Sequence, residues 1–306
     1  MCGIAAYVGK KQPINKLMFL MFDNDSRGGH SSGAYIDKSI YKCTEKSGNL
    51  LHMIKESNAE LFIGHTRYAT HGSTKANNTH PYTYGKYTGV HNGVLSNYED
   101  ILKENNLANV DVDSKAIYKV LSKTNNYKTL GEYSGTINAV WTENDNKLYV
   151  YRRNNPLFRL RQNGGIFFSS IKEGLQAIAN KNKDVKEVAK NKLFIYSSNG
   201  DLVNTINIKV TAQEYVGKNW YDYKSNHNNI LTYNDYESYE NPNQINIWDN
   251  PNEYLSEQET IEFEYETSML LQEKLNFFKE YDVYTPEEIK QIEKLIAIIN
   301  EKYWEF

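Results

Sequence analysis

The chain has 306 residues, of which 40% are hydrophobic and 24% charged, and a formal net charge of -3 at pH 7. This composition is typical of a soluble globular protein with one large or two smaller domains. The weak negative charge excludes a general attraction to nucleic acid or anionic membranes. The apolar run 17–22 is too short to cross a bilayer, and the start lacks the basic region of a targeting segment. We therefore expect a cytoplasmic protein without a nucleic-acid or membrane partner.

The first residues, Met1-Cys2-Gly3, contain a candidate nucleophile. Removal of Met1, which the small neighbouring side chain permits, would leave Cys2 with a thiol and a free α-amine. An α-amine has a pKa of about 7.7 to 8.0, so it can take the thiol proton near neutrality. Activation of an N-terminal nucleophile by its own amine is a known variant of nucleophilic catalysis. With Cys43 as the second of two cysteines, no disulfide framework is indicated.

The pattern after Cys2 predicts a buried strand over residues 4–8 and a helix after Pro13. Residues 27–33 are rich in glycine and predict a loop, followed by a strand over 34–36. Cys43 lies in a strand-like segment and is interpreted as an ordinary packed thiol. The nucleophile is thus expected at the tip of a strand.

Two later segments combine an apolar strand with polar groups. Residues 61–72 begin as a strand and end in a polar cluster, in which Arg67 is suited to a bidentate grip on a carboxylate. In residues 89–95, the side-chain amide of Asn92 and the N–H of Gly93 could both point at one oxygen, as in an oxyanion hole.

Together these motifs resemble the glutaminase domain of class II glutamine amidotransferases, most strongly that of glucosamine-6-phosphate synthase. The resemblance covers residues 2 to about 210 and implies the α+β, four-layer αββα fold of N-terminal nucleophile hydrolases. The motifs that carry it are Cys2-Gly-Ile, Arg27-Gly, Ser31 with Gly33, the run His65 to Gly72, His80-Pro81, His91-Asn-Gly93, Asp111-Val-Asp-Ser114, Gly135 to Trp141, Tyr151 to Leu157 and Phe167 to Ser170.

The resemblance implies a catalytic role for three residues. Cys2 would attack the side-chain amide of glutamine and form a thioester with release of ammonia, its α-amine moving the proton. Asn92, through its side chain, and Gly93, through its N–H, would hold the oxyanion. The family uses no cofactor for this half-reaction, and none is expected here.

The substrate-binding residues implied by the resemblance are Arg67 for the α-carboxylate and Asp113 for the α-ammonium group, with Thr70 and His71 completing the pocket. A zwitterion needs one cation and one carboxylate at opposite sides, which agrees with this assignment. Asp111 is the alternative to Asp113. Asp113 is favoured because the family's aspartate is followed by a hydroxyl residue, here Ser114.

The histidines of the polar clusters also allow a metal site or a structural network. The histidines lack the spacing of metal ligands, so no metal site is expected, and His65 and His80 are interpreted as satisfied members of a polar network. His91 is expected to orient the loop before Asn92. The sequence departs from the family at Tyr68, where a Trp is expected, and at His30, where an Asp is usual.

The middle of the chain alternates predicted helices and hairpins. Helices are predicted over 98–105 and 114–123, and strands over 136–141, 148–153, 193–196 and 202–208. Strand-rich segments with few helices between them favour antiparallel sheets covered by helices.

Three regions are predicted: a glutaminase domain over 2–210, an Asn- and Tyr-rich linker or surface arm over 211–255, and a helical extension over 256–306. An isoleucine seam in the extension is formed by Ile289, Ile292, Ile296, Ile299 and Tyr303. Most such seams pack on their own domain, and the alternative is contact with an acceptor enzyme or a second copy of the chain. The expected function is release of ammonia from L-glutamine, as a stand-alone amidotransferase domain or subunit for an unidentified acceptor. The alternatives are a catalytically silent glutamine-binding regulatory module and an N-terminal nucleophile amidohydrolase acting on another amide.

Overall fold

The computed structural model describes residues 2–68, 75–144, 147–179 and 183–212. The predicted substrate-binding residues Thr70 and His71 lie outside the described residues. The linker from residue 213, the predicted helical extension and its isoleucine seam also lie outside them.

The described residues form strands and short helices. The strands are β1 (Gly3–Pro13), β2 (Ser31–Ile36), β3 (Ser39–Cys43), β4 (Asn58–Arg67), β5 (Tyr82–Tyr84), β6 (Tyr87–Leu95), β7 (Gly135–Glu143), β8 (Lys147–Arg152), β9 (Phe158–Gln162), β10 (Gly165–Ser169), β11 (Lys186–Glu187), β12 (Lys192–Ser197) and β13 (Leu202–Asn207). The helices are α1 (Ile14–Asn24), α2 (Gly48–Leu51), α3 (Tyr98–Glu104), α4 (Asp113–Thr124) and α5 (Lys172–Ala177), with 3-10 turns at Ala76–Asn78 and Tyr127–Gly131.

These strands make two antiparallel sheets. The first sheet has the order β11-β9-β10-β1-β4-β2-β3, and the second has the order β13-β12-β8-β7-β6-β5. β1, which begins directly after Cys2, is central in the first sheet and pairs with β4 and β10. Cys2 therefore lies at the tip of a strand, as the sequence predicts, and that strand is held on both edges.

Apolar side chains of the two sheets pack against each other. One buried cluster joins residues from both sheets, including Ile4 and Ile63 from the first and Val90 and Val150 from the second. On its other face, the second sheet packs against α3 and α4 through a second cluster that includes Trp141. Helix α1 contacts β1 and β4, and α5 contacts β10. The α+β class with two antiparallel sheets agrees with the prediction.

The prediction that the loop over residues 27–33 extends to Gly33 is wrong. Ser31, Ser32 and Gly33 already belong to β2 and are buried, because they pair with Arg67, Thr66 and His65 of β4. Glycine and serine are weak strand formers, so the local signal favoured a loop, and the ladder with β4 overrides it. No helix within the described residues is long and apolar enough to cross a membrane.

Candidate active site

The thiol of Cys2 lies against the end of β4. Because β1 and β4 pair in register, with Gly3 opposite Thr66, the residues after Thr66 come alongside Cys2. The backbone N–H of Tyr68 donates a hydrogen bond to the Cys2 sulfur at 3.3 Å. From the other side, Nε of Arg27 donates to the carbonyl oxygen of Cys2 at 3.1 Å. Sulfur and backbone of the nucleophile are thus both fixed.

The electrostatics of the site favour a protonated thiol. Burial raises the pKa of Cys2, while the hydrogen bond at the Tyr68 backbone and the nearby Arg67 charge act in the opposite direction. Since only a thiolate is a strong nucleophile, the thiol needs a base close to it to react near neutral pH. The α-amine that removal of Met1 would create is such a base.

A small cavity opens beside the sulfur and gathers residues from five parts of the chain. It is lined by Cys2, Arg67, Tyr68, His80, His91, Gly93, Val112, Asp113 and Ser114. Of the residues predicted from sequence, the structure thus brings Cys2, Arg67, Gly93 and Asp113 around one space. A guanidinium and a carboxylate in the same cavity can hold the two charged groups of an amino acid.

Asp113 and Asp111 differ clearly in their surroundings. Asp113 is buried at the first residue of α4, where its carboxylate accepts a hydrogen bond from the N–H of Leu95 at 2.8 Å. Asp111 lies outside the cavity, with 61% of its side chain exposed, and forms an ion pair with Lys115 at 2.7 Å. The choice of Asp113 over Asp111 is therefore supported by position.

Asn92 and Gly93 lie next to each other in β6, opposite Asn138 and Ile137 of β7. Within the described residues, the side-chain nitrogen of Asn92 is buried without a hydrogen-bond partner. Gly93 has a φ of 153°, and a Cβ placed on it would lie 2.0 Å from the carbonyl oxygen of Thr136. Glycine is therefore required at this position, and a buried amide donor beside it remains available to a ligand.

Three buried histidines contact one another at the site, and two of them, His80 and His91, line the cavity. His65 donates through Nε2 to the carbonyl of His91 at 3.0 Å, and its ring lies against that of His80 at an angle of 39°, with centroids 3.9 Å apart. His91 lies 2.8 Å from the hydroxyl of Ser114 through Nδ1 and 3.2 Å from the carbonyl of Thr136 through Nε2. The contact with the Thr136 carbonyl requires an N–H, so Ser114 donates to Nδ1 of the neutral ring.

Burial is the main cause of a lowered pKa in all three rings. The pKa of His65 falls to about 3, that of His80 lies well below its ordinary value, and that of His91 is lowered. The rings are therefore neutral at pH 7. The expectation that His65 and His80 are satisfied is wrong for His80, because both of its ring nitrogens are without a hydrogen-bond partner within the described residues, and it holds for His65 only at Nε2, since Nδ1 has no partner among them. Among these residues, no group of His, Cys, Asp and Glu is arranged to hold a metal ion.

Sequence reasoning missed some contributors. The backbone of Tyr68 contacts the sulfur, and Val112 lines the cavity, but neither contact leaves a residue-type signal in the sequence. Asn155 contacts the backbone of Asn92 from behind the site, with a hydrogen bond of 3.1 Å to its carbonyl oxygen. Asn155 lies in the motif Tyr151 to Leu157, and the resemblance implies no role for its side chain.

Two solved structures resemble the described fold. Glutamine phosphoribosylpyrophosphate amidotransferase from B. subtilis superposes with a TM-score of 0.58 at 15% identity, covering 69% of this chain and 50% of that chain. A structure described as the allosteric regulatory enzyme of purine biosynthesis gives a TM-score of 0.59 at 16% identity, with the same coverage. At these identities the similarity establishes the fold.

Curated relatives in sequence are glutamine–fructose-6-phosphate aminotransferases (isomerising), also called glucosamine-6-phosphate synthases. The protein of Geobacillus kaustophilus is 28% identical over 229 residues, which are 68% of this chain and 38% of the relative. That of Staphylococcus epidermidis is 34% identical over 135 residues, or 42% of this chain and 22% of the relative. That of Aquifex aeolicus is 32% identical over 140 residues, or 42% and 23%.

These similarities confirm the predicted resemblance to class II glutamine amidotransferases, with glucosamine-6-phosphate synthases among the relatives. No family model matches the chain. The matched region spans 38% or less of the length of the three curated relatives.

Proposed function

We propose that the protein is a glutaminase that releases ammonia from L-glutamine through a thioester on Cys2. It would serve as an amidotransferase domain or subunit for an acceptor that is not identified. The observation that carries this proposal is the cavity that places Cys2, Arg67, Gly93 and Asp113 around one space. The names of the curated relatives, which contain glutamine, support the choice of substrate.

In this proposal the two charged side chains bind the amino-acid end of glutamine. Arg67 pairs with the α-carboxylate, and Asp113 pairs with the α-ammonium group. Because Asp113 already accepts hydrogen bonds from two backbone N–H groups, of Leu95 and Ser114, its carboxylate is fixed before substrate arrives. Fixed partners lower the entropic cost of orienting the substrate amide against the thiol.

The chemical step follows from the same geometry. The α-amine freed by removal of Met1 takes the thiol proton, and the sulfur attacks the side-chain carbonyl of glutamine. The tetrahedral intermediate carries an oxyanion, which the side-chain N–H of Asn92 and the backbone N–H of Gly93 stabilise. The intermediate collapses as the amine passes its proton to the leaving nitrogen, giving ammonia and a glutamyl thioester. Water then releases glutamate.

The packing of α1 and α5 on the first sheet, and of α3 and α4 on the second, supports the four-layer αββα arrangement of N-terminal nucleophile hydrolases. In that arrangement the nucleophile lies at the end of a central strand between the layers. The position of Cys2 before β1 agrees with it.

The test is an ammonia-release assay with purified protein. L-glutamine should be hydrolysed, whereas L-asparagine, whose amide is one methylene closer to the α-carbon, should not reach the sulfur while its charged groups are bound. Hydrolysis of asparagine or of other γ-glutamyl amides at a higher kcat/KM would favour an amidohydrolase with another substrate. Binding of glutamine without release of ammonia would indicate a regulatory module.

A further inference from the structure

A buried polar group lies directly behind the proposed oxyanion hole. Nδ2 of Asn155 donates a hydrogen bond to the carbonyl oxygen of Asn92 at 3.1 Å, and Asn155 is only 5% exposed. Asn155 lies in the connection between β8 and β9, 63 positions from Asn92 in sequence. Its side chain does not line the cavity, so any effect on catalysis would act through the peptide it contacts.

The geometry of the peptide bond transmits this contact to the next residue. In a trans peptide, the carbonyl of Asn92 and the N–H of Gly93 lie in one plane and point in opposite directions. A hydrogen bond that fixes the carbonyl therefore also fixes the direction of the Gly93 N–H. Glycine needs such a restraint more than other residues, since its backbone has the widest conformational freedom.

The N–H of Gly93 is thereby directed toward the cavity. In an extended strand, the N–H and carbonyl groups of alternate residues point to the same edge. The carbonyl of His91 accepts from His65, which lies in the first sheet and not in β7. The N–H of Gly93 shares that edge, away from β7, and both His91 and Gly93 line the cavity beside Cys2.

Asn155 is itself held firmly in place. Its backbone carbonyl accepts from Nδ2 of Asn138 at 2.7 Å and from Nε of Arg152 at 2.8 Å. Arg152, also buried, donates to the carbonyl of Val188 at 2.6 Å and forms an ion pair with Glu187. Burying these polar groups between two sheets costs free energy, and burying apolar side chains of similar volume would not carry this cost. A rigid support of this kind is what a preorganised donor requires.

We propose that Asn155 is a positioning residue of the oxyanion hole, which holds the N–H of Gly93 in line with the oxygen of the glutamine amide as it becomes tetrahedral. This role rests on the proposed glutaminase function. Loss of one oxyanion donor lowers kcat by about 10² to 10³. Because Gly93 keeps its N–H when Asn155 is replaced, the expected loss is smaller, about 10- to 100-fold in kcat.

Two replacements test the role. Asn155→Ala removes the donor, and Asn155→Asp keeps the shape but faces the Asn92 carbonyl with an acceptor. In ammonia-release kinetics, both should lower kcat about 10- to 100-fold, with KM for glutamine within about twofold of the unmodified protein. Asn155→Ser keeps a smaller hydroxyl donor and should recover part of kcat.

A second readout separates positioning from a general structural effect. Glutamate γ-semialdehyde adds the Cys2 thiol to its carbonyl, with the thiol proton passing to the oxygen, and so forms a tetrahedral hemithioacetal. L-Glutamate binds the same cavity without forming this adduct. The Asn155 variants should bind the semialdehyde more weakly in parallel with the loss of kcat and bind glutamate as before.

Gln162→Ala is the matched control. Gln162 is an equally buried carboxamide that donates to the carbonyl of Ile178 at 2.7 Å in the first sheet, away from the cavity. Its loss should lower the melting temperature and leave kcat unchanged.

Folded Asn155 variants with unchanged kcat, or with equal loss of semialdehyde and glutamate affinity, would overturn the positioning role. Unfolding of all three variants would assign Asn155 to the core instead. If the unmodified protein releases no ammonia, the proposed function itself fails. If it releases ammonia and the Asn155 variants do so at the same rate, only the positioning role fails.

Discussion

The sulfur of Cys2 accepts a hydrogen bond from the backbone N–H of Tyr68 at 3.3 Å, across 66 positions of sequence. This contact joins the start of β1 to the end of β4 and sets the distance between the nucleophile and Arg67. Because a backbone group makes it, it persists when the Tyr68 side chain differs from the Trp of the family. We therefore expect the hydrolytic step to tolerate this departure.

Substrate recognition should separate cleanly from chemistry. Arg67→Ala and Asp113→Asn each remove one charge-assisted contact worth about 1.5 to 3 kcal/mol, so KM for glutamine should rise about 10- to 100-fold with a smaller change in kcat. Asp111→Asn is the matched control, because Asp111 is exposed and paired with Lys115. Steady-state kinetics that show Asp111→Asn to be as damaging as Asp113→Asn would contradict the assignment.

Replacement of Asn92 should act on the chemical step. Asn92→Ala removes the buried side-chain N–H that has no other partner within the described residues. If that group stabilises the oxyanion, kcat should fall about 10² to 10³-fold with KM little changed. An Asn92→Ala protein with the kcat of the unmodified chain would remove Asn92 from the oxyanion hole.

The buried histidines His65, His80 and His91 predict a loss of stability in mild acid. An unfolded histidine has a pKa of about 6.5, whereas the pKa of folded His65 is lowered to about 3 by burial. As pH falls below about 6.5, the histidine becomes protonated in the unfolded chain but stays neutral in the folded chain. Its neutral form therefore contributes fully to stability above about pH 6.5, and that contribution is lost as the pH falls toward the pKa of the folded state. For His65 this amounts to a fall of about 2 kcal/mol in the free energy of unfolding between pH 6.5 and 5.

Denaturant titrations at several pH values measure this effect. His65→Gln should reduce the dependence of stability on pH, and so should His80→Gln. His52→Gln, at an exposed position, is the control and should leave the dependence unchanged. Equal pH dependence in all the proteins would show that the buried histidines do not cause the acid sensitivity.

The C-terminal region remains a sequence-based prediction. A chain ended after residue 255 should keep a folded glutaminase core and glutamine hydrolysis, while its oligomeric state or its binding of a partner changes. Light scattering and a pull-down with the full and shortened chains measure this. An insoluble or inactive shortened chain would mean that the isoleucine seam packs on the core and does not contact another chain.

Much of the site was predictable because its chemistry is concentrated in short motifs. Cys2 precedes an apolar strand and Arg67 ends one, so residue type and periodicity both mark them. The choice of Asp113 came from the resemblance, through the hydroxyl residue Ser114 that follows it. The roles of Asn92 and Gly93 came from the resemblance and from the pairing of two donors.

The remaining features depend on contacts between distant segments. The strand character of Ser31 to Gly33 comes from pairing with β4, against local propensity. The contact of Asn155 with Asn92 requires both to meet between the sheets, and no periodicity marks it. The missed strands β9 and β11 pair with each other at the edge of the first sheet. They have only five and two residues, so any periodic signal in them is short.

The most direct test of the account is intact-mass analysis of the protein after rapid mixing with L-glutamine and acid quenching. The account predicts a chain that lacks Met1 and carries one added glutamyl group at Cys2, with no adduct in Cys2→Ala and with a normal adduct in Cys43→Ser. Cys43 is a second partly buried thiol, whose contacts are with backbone carbonyls. Ammonia release by protein that retains Met1, or by Cys2→Ala, would contradict the N-terminal nucleophile mechanism.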